Sequence, residues 1–217
     1  MNPAFREWFG EEHLEEYQTG VFSDELDKLG HRHQVSTSWK LNRPGARFFG
    51  RVRTLSIETV ETHDERLHDG LSFLTSLEPG DVLVIKGSRD FAYFGELMSR
   101  LAEKVGLSGV VIDGLTRDTY YTRRIDLPIF AKGYSPVDIK GRGRVGAIDE
   151  RVMIDGICVH PGDYLFGDGD AVVAVPNSVM PTLRGRVLEA VRDEAAIKES
   201  IAAGASVDEL LARFKEF

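Results

Sequence analysis

Gly95-Glu96 and Arg117-Asp118, separated by residues 97 to 116, are the side chains whose types and spacing could do chemistry. Two carboxylates, a guanidinium and a glycine-led helix start suit a hydrated divalent metal and a small anion. Whether they meet depends on what lies between. Leu97, Met98, Leu101, Ala102 and Val105 recur at helical spacing, so 95–106 reads as an amphipathic helix with Glu96 in its first turn. Gly109-Val110-Val111-Ile112-Asp113-Gly114 then reads as a short buried strand, with Arg117-Asp118 in the turn beyond it. A strand, a helix, a second strand and a return loop bring both pairs to one rim.

The flanking sequence alternates in the same way. Pro79-Gly80-Asp81 turns into Val82-Leu83-Val84-Ile85, an apolar run expected of a strand covered on both faces, and Pro128-Ile129-Phe130-Ala131 is another. Before them, 3–16 and 64–77 read as helices, 31–50 as irregular and 51–60 as a strand. A short helix at 23–29 has Ser23 as its expected cap and Gly30 as its end. Strands are expected near 145–149, 151–155, 157–160, 164–166 and 171–175, then a long helix over 178–203. Ser206-Val207-Asp208-Glu209 is a capping box that opens a last helix reaching Phe214. Pro79-Gly80-Asp81 is echoed by Pro161-Gly162-Asp163, which reads as reused type II turn chemistry.

The chain has 217 residues and is expected to form one domain: a helical segment over 1–30, a core over 45–177 and C-terminal helices over 178–217. A formal charge of −8 opposes non-specific nucleic-acid binding, which needs a basic surface. Cys158 is the single cysteine, so no internal disulfide forms, as a reducing cytoplasm favours. No apolar run is long enough to span a bilayer, and the first residues lack a secretion signal, so no membrane partner is expected.

Other residues compete for the chemistry. Gly141-Arg142-Gly143-Arg144-Val145-Gly146 matches the dinucleotide fingerprint, but a strand pattern follows where that motif requires a helix. His31, His33, His63 and His68 have no cysteine or carboxylate frame to complete a zinc motif. Asp168-Gly169-Asp170 reads as a hairpin turn and not a calcium loop, and Cys158 as a small core residue. Lys86 ends an apolar run; a Schiff-base role competes there with a lysine leaving a strand for water.

Residues 80–136 resemble the class II pyruvate aldolase family, which also contains the regulator of ribonuclease activity A. The resemblance runs through Pro-Gly-Asp-Val-Leu-Val, Gly-Glu-Leu, Gly-Val-Val-Ile-Asp-Gly-Leu-Thr-Arg-Asp and Pro-Ile-Phe-Ala-Lys-Gly. It extends to Ser23–Gly30, Val159–Asp163 and Gly167–Pro176, covering about 20–205. It implies an α/β chain with a three-layer β/β/α swivelling fold, and trimers or hexamers with sites at subunit interfaces. It also implies a divalent metal, magnesium first and manganese second.

Carried over by position, Asp118 is the direct metal ligand and Glu96 holds water beside it. Gly95, Glu96, Leu97 and Met98 present amides to a substrate carboxylate, and Arg117 contacts substrate oxygens. A carboxylate on the C-terminal helix of a neighbouring subunit completes the site: Glu194 first, with Asp193 and Glu199 as the alternatives. The implied activity is retro-aldol cleavage of 4-hydroxy-2-oxo acids to pyruvate, with oxaloacetate decarboxylation through the same enolate. The alternative is a non-catalytic regulator; the ribonuclease-binding branch replaces the metal aspartate, which this chain keeps.

Overall fold

The architecture, a computed structural model, describes residues 3–31, 35–60 and 67–214. Two helices open the chain, α1 (Pro3–Phe9) and α2 (Thr19–Lys28), followed by short edge strands β1 (Val35–Ser36) and β2 (Lys40–Leu41). The long strand β3 (Phe48–Thr59) precedes α3 (Leu67–Thr75). The central unit is β4 (Val82–Lys86), β5 (Ala92–Phe94), α4 (Glu96–Val105), β6 (Gly109–Thr116), α5 (Thr119–Thr122) and β7 (Ile129–Tyr134). Five strands follow: β8 (Gly143–Ile148), β9 (Val152–Ile154), β10 (Ile157–Val159), β11 (Tyr164–Gly167) and β12 (Val172–Val175). Helices α6 (Met180–Ala202) and α7 (Val207–Arg213) close the described chain.

One curled sheet runs β1-β12-β11-β3-β4-β6-β7-β2, with β5 beside β6 and β8 beside β3. Strands β3, β4, β6 and β7 pair in parallel, while β11 and β12 join antiparallel. Alternation along the parallel strands divides their side chains between two cores. Leu83, Ile85, Val110, Ile112 and Ile129 pack with Phe73, Leu74, Met98 and Ala102 from the α3 and α4 side. Val82, Val84, Val111 and Phe130 face Val152, Ile154, Ile157 and Val159 of the β9–β10 hairpin, together with Leu165, Val172 and Ala174. Helix, parallel sheet and second β-layer are the three expected layers. A third core lies behind β11–β12, where Phe166, Val173 and Val175 meet Phe5, Phe22, Leu26, Leu183 and Val187 of α1, α2 and α6.

Several boundaries differ from the sequence reading for local reasons. The 3–16 helix stops at Phe9, because Gly10 takes φ 81° and the chain then turns through Glu16. Helix α2 begins at Thr19, ahead of Ser23, because its cap comes from a distant hairpin. The Thr19 amide donates to Asp168 Oδ2 at 2.8 Å, and its hydroxyl donates to Oδ1 at 2.8 Å. Residues 31–50 contribute β1, β2 and the start of β3. The expected 64–77 helix is described from Leu67, with 64–66 outside the described residues. Gly80 and Gly162 have φ 92° and 91°, and the amides of Asp81 and Asp163 close the two turns at 3.1 Å each, so the echo is reused turn chemistry.

Candidate active site at the start of α4

The site forms where β5 and β6 release the chain at the same edge. Phe94 O accepts from the Arg117 amide at 3.1 Å and from the Thr116 hydroxyl at 2.7 Å, which locks the two exits together. Gly95 then caps α4, and Asp118 opens α5 in the left-handed region at φ 59°, ψ 43°. Asp118 Oδ2 accepts the Glu96 amide at 2.9 Å, so this carboxylate caps the helix across 22 residues of sequence. A Cβ on Gly95 would stand 2.3 Å from that Oδ2 and 2.8 Å from Arg117 Cγ. Only glycine permits this approach.

Around the Asp118 carboxylate the charges are ordered. Arg117 Nε lies 3.5 Å from Asp118 Oδ2, and its Nη1 lies 3.1 Å from Asp138 Oδ2. Glu96 Oε1 accepts from Arg100 Nε at 2.8 Å along the helix. Leu97 is exposed, whereas Met98 points into the core beneath the sheet. Of the four amides expected at a substrate carboxylate, that of Glu96 is engaged by Asp118. An open cavity of about 550 Å³ adjoins the pair, lined by Arg117, Asp118, Tyr121, Tyr134, Ser135 and Pro136.

The donor set fits a largely hydrated cation. Asp118 Oδ1 has no hydrogen-bond partner among the described residues, and no group of three or more His, Cys, Asp or Glu assembles there or elsewhere among them. Magnesium accepts one or two carboxylates and keeps several waters, which such a site allows.

Gly95, Glu96, Leu97, Arg117 and Asp118 thus come together within the chain. The C-terminal carboxylates do not join them there. Glu194 lines a groove of about 450 Å³ with Asp24 of α2 and Lys198 of α6. Asp193 lines another, of about 480 Å³, between α2, α6 and the Arg213-Phe214 end of α7. Glu199 is exposed on the same helix α6.

The rival residues are otherwise employed. Lys86 Nζ donates to Asp113 Oδ2 and Arg89 Nη2 to Oδ1, both at 2.7 Å, and Asp113 is 3% exposed. The Lys86 amine is thus engaged with a carboxylate where its strand ends. Gly143 begins β8, so no helix follows the glycine-rich segment, and a Cβ there would stand 2.5 Å from Phe91. Asp168 caps α2 and takes the Asp170 amide at 3.0 Å, the chemistry of a hairpin and not a calcium loop. His33 and His63 lie outside the described residues.

Cys158 corrects the sequence reading. It is exposed, because β10 turns Ile157 and Val159 inward and alternation sends Cys158 out, with Sγ 3.5 Å from His160 Nε2. Asp113 and Asp138 escaped the sequence reading. The signal for Asp113 was an acid ending a buried run, one step past the Ile85–Ile112 register where Lys86 ends the neighbouring strand. For Asp138 no local signal existed, since its contact depends on a parallel bridge to Ala92.

A layered α/β fold with a curled sheet, carrying a carboxylate and guanidinium at a helix start, defines the class. The chain belongs to the RraA-like family, described as Aldolase/RraA, whose model matches residues 19–174. It is 31% identical over 163 residues to a putative 4-hydroxy-4-methyl-2-oxoglutarate aldolase of Halalkalibacterium halodurans, covering 73% of this chain and 72% of that one. It is 25% identical to protein DlpA of Legionella pneumophila over 86% of its own length, but spans only 31% of that longer protein. The crystal structure of Streptomyces coelicolor RraAS2, described as an unusual member of the RNase ES inhibitor RraA family, superposes with TM-score 0.76. That match is 25% identical and covers 88% of this chain and 96% of that one. Among the described residues no helix is long and apolar enough to cross a membrane.

Proposed function

We propose that this chain is a cytoplasmic, divalent-metal-dependent lyase that cleaves 4-hydroxy-2-oxo acids to pyruvate and decarboxylates oxaloacetate at the same site. The observation that carries the reading is Asp118: its Oδ2 accepts the Glu96 amide at 2.9 Å, its Oδ1 has no hydrogen-bond partner among the described residues, and the residue lines an open cavity. Asp118 would hold the cation, magnesium before manganese, whose Lewis acidity stabilises an enolate by several kcal/mol.

The protein's own groups supply the rest. Arg117 stands beside Asp118 and orients the substrate's keto and carboxylate oxygens toward it. The first-turn amides of α4 beyond Glu96, whose own amide Asp118 occupies, favour an anion, as unpaired helix N–H groups do. Glu96, whose Oε1 accepts from Arg100 Nε, would hold the water that takes the 4-hydroxyl proton. As that proton leaves, the C3–C4 bond breaks, the C4 fragment departs as a carbonyl compound and pyruvate remains as its enolate. Glu194 of a neighbouring subunit, in a trimer or hexamer, would close the site.

The family name and the aldolase-named relative support a small 2-oxo acid as substrate. The ribonuclease-regulator branch supplies the second reading, protein binding without catalysis. Retention of both Glu96 and Asp118 favours the lyase. The test is pyruvate release from oxaloacetate by protein stripped with EDTA and then supplied with magnesium. Activity that is lost and restored is the expected result; turnover indifferent to EDTA, with borohydride trapping on Lys86, would overturn it.

A further inference from the structure

Arg117 stands between two carboxylates and lies closer to one of them than to the other. Its Nη1 is 3.1 Å from Asp138 Oδ2, within hydrogen-bond range, whereas its Nε is 3.5 Å from Asp118 Oδ2. A guanidinium beside a carboxylate ordinarily favours two parallel bonds to it. Here that fork does not close, although the two residues are adjacent in sequence and Asp118 is partly exposed.

Asp138 is held from a third direction. It forms a parallel bridge with Ala92, whose amide donates to Val137 O at 2.8 Å, and its Oδ1 accepts the Lys140 amide at 3.3 Å. Ala92 begins β5, the strand that delivers Gly95 and Glu96. One short strand therefore places both the helix start and the carboxylate that restrains Arg117. Burial pushes the Asp138 carboxyl up, but the Arg117 hydrogen bond and the Lys140 amide outweigh it and hold the group below the usual carboxylate range.

We propose that Asp138 is the positioning residue for Arg117: it draws the guanidinium away from Asp118 and so leaves Asp118 Oδ1 open to a divalent cation. The inference rests on the metal-lyase reading above. Without the charge at 138, Arg117 turns onto Asp118, closes the bidentate pair and competes with the metal for the same oxygens. Asp138 touches neither substrate nor cation in this account; it acts through Arg117 alone.

The test is Mn2+ binding to the full chain, followed by electron paramagnetic resonance in the absence of substrate. It compares wild type, Asp138→Asn, Arg117→Gln and the double variant, with Asp118→Ala as the reference for a lost site. Asparagine preserves the acceptor for the Lys140 amide and leaves the backbone bridge to Ala92 unchanged, and thermal melts check that each variant folds. Asp138→Asn is expected to weaken Mn2+ binding about tenfold or more, the usual scale for a residue supporting a metal ligand. Arg117→Gln should bind Mn2+ at least as tightly as wild type, and adding Asp138→Asn to it should change little, because no guanidinium remains to swing. Unchanged binding by Asp138→Asn overturns the proposal. So does an equal loss in both backgrounds, which would mean that Asp138 acts on the cation directly or through the fold. Wild type that binds no more Mn2+ than Asp118→Ala defeats the metal-lyase reading itself, and the proposal with it.

Discussion

The Glu96 amide donates to Asp118 Oδ2 at 2.9 Å, and that bond fuses two motifs lying on different elements into one site. Asp118 pays for its place with a left-handed backbone, φ 59° and ψ 43°, which for a residue other than glycine costs about 1–3 kcal/mol. Two amides of α5 stabilise it there: those of Tyr121 and Thr122 donate to Asp118 O at 2.9 and 3.0 Å. The carboxylate thus starts one helix with its backbone and caps another with its side chain.

Gly95→Ala separates site geometry from stability. The backbone at Gly95, φ −148°, is open to any residue, so alanine adds no strain of its own. Its Cβ would stand 2.3 Å from Asp118 Oδ2, and the carboxylate must move. Displacement of about 1 Å at a reacting centre costs on the order of a hundredfold in rate. The variant is therefore expected to lose about that factor in kcat/KM for pyruvate release, with its melting midpoint within about 4 °C of wild type.

Asp113 should show an asymmetry in stability. Asp113→Asn removes one charge from a cluster whose cations, Lys86 and Arg89, are about half exposed and can rehydrate. Losing those charge-assisted bonds is expected to cost roughly 1–3 kcal/mol. Replacing both Lys86 and Arg89 by alanine strands a carboxylate that is 3% exposed, at roughly 3–5 kcal/mol. Urea unfolding of the two variants ranks them, and the reverse order would contradict this account.

Asp155, at the turn between β9 and β10, links hairpin stability to pH. The Ser36 hydroxyl donates to it at 2.6 Å and Lys132 Nζ stands 3.0 Å away; these bonds hold its carboxyl below the usual range despite slight burial. A depressed folded-state value means stabilisation that is complete above the unfolded value, about 3.9, and lost as pH falls through the folded one. The stability gap between wild type and Asp155→Asn is thus expected in full at neutral pH and to shrink in acid. A gap that widens in acid would reverse the sign.

What the sequence made legible was what local chemistry decides. The apolar runs at 82–85 and 109–112 are the parallel strands β4 and β6, the 95–106 periodicity is α4, and the Ser206–Glu209 capping box closes both of its bonds. The pairing of Gly95-Glu96 with Arg117-Asp118 followed from the same units. Features fixed by distant partners were not legible. Helix α2 starts where Asp168 caps it, and Asp138 reaches Arg117 only because residue 138 bridges Ala92. Strand β5 and helix α5, three and four residues long, are too short to leave a periodicity. Cys158 was misread because one small apolar residue in a short strand does not reveal which face is buried.

The most direct measurement of the central claim is the rate of pyruvate release by Asp118→Ala, assayed with oxaloacetate and saturating magnesium. The account predicts a loss of at least ~4 kcal/mol of transition-state stabilisation, about a thousandfold in rate, in a protein that still folds. Turnover close to that of wild type would contradict it.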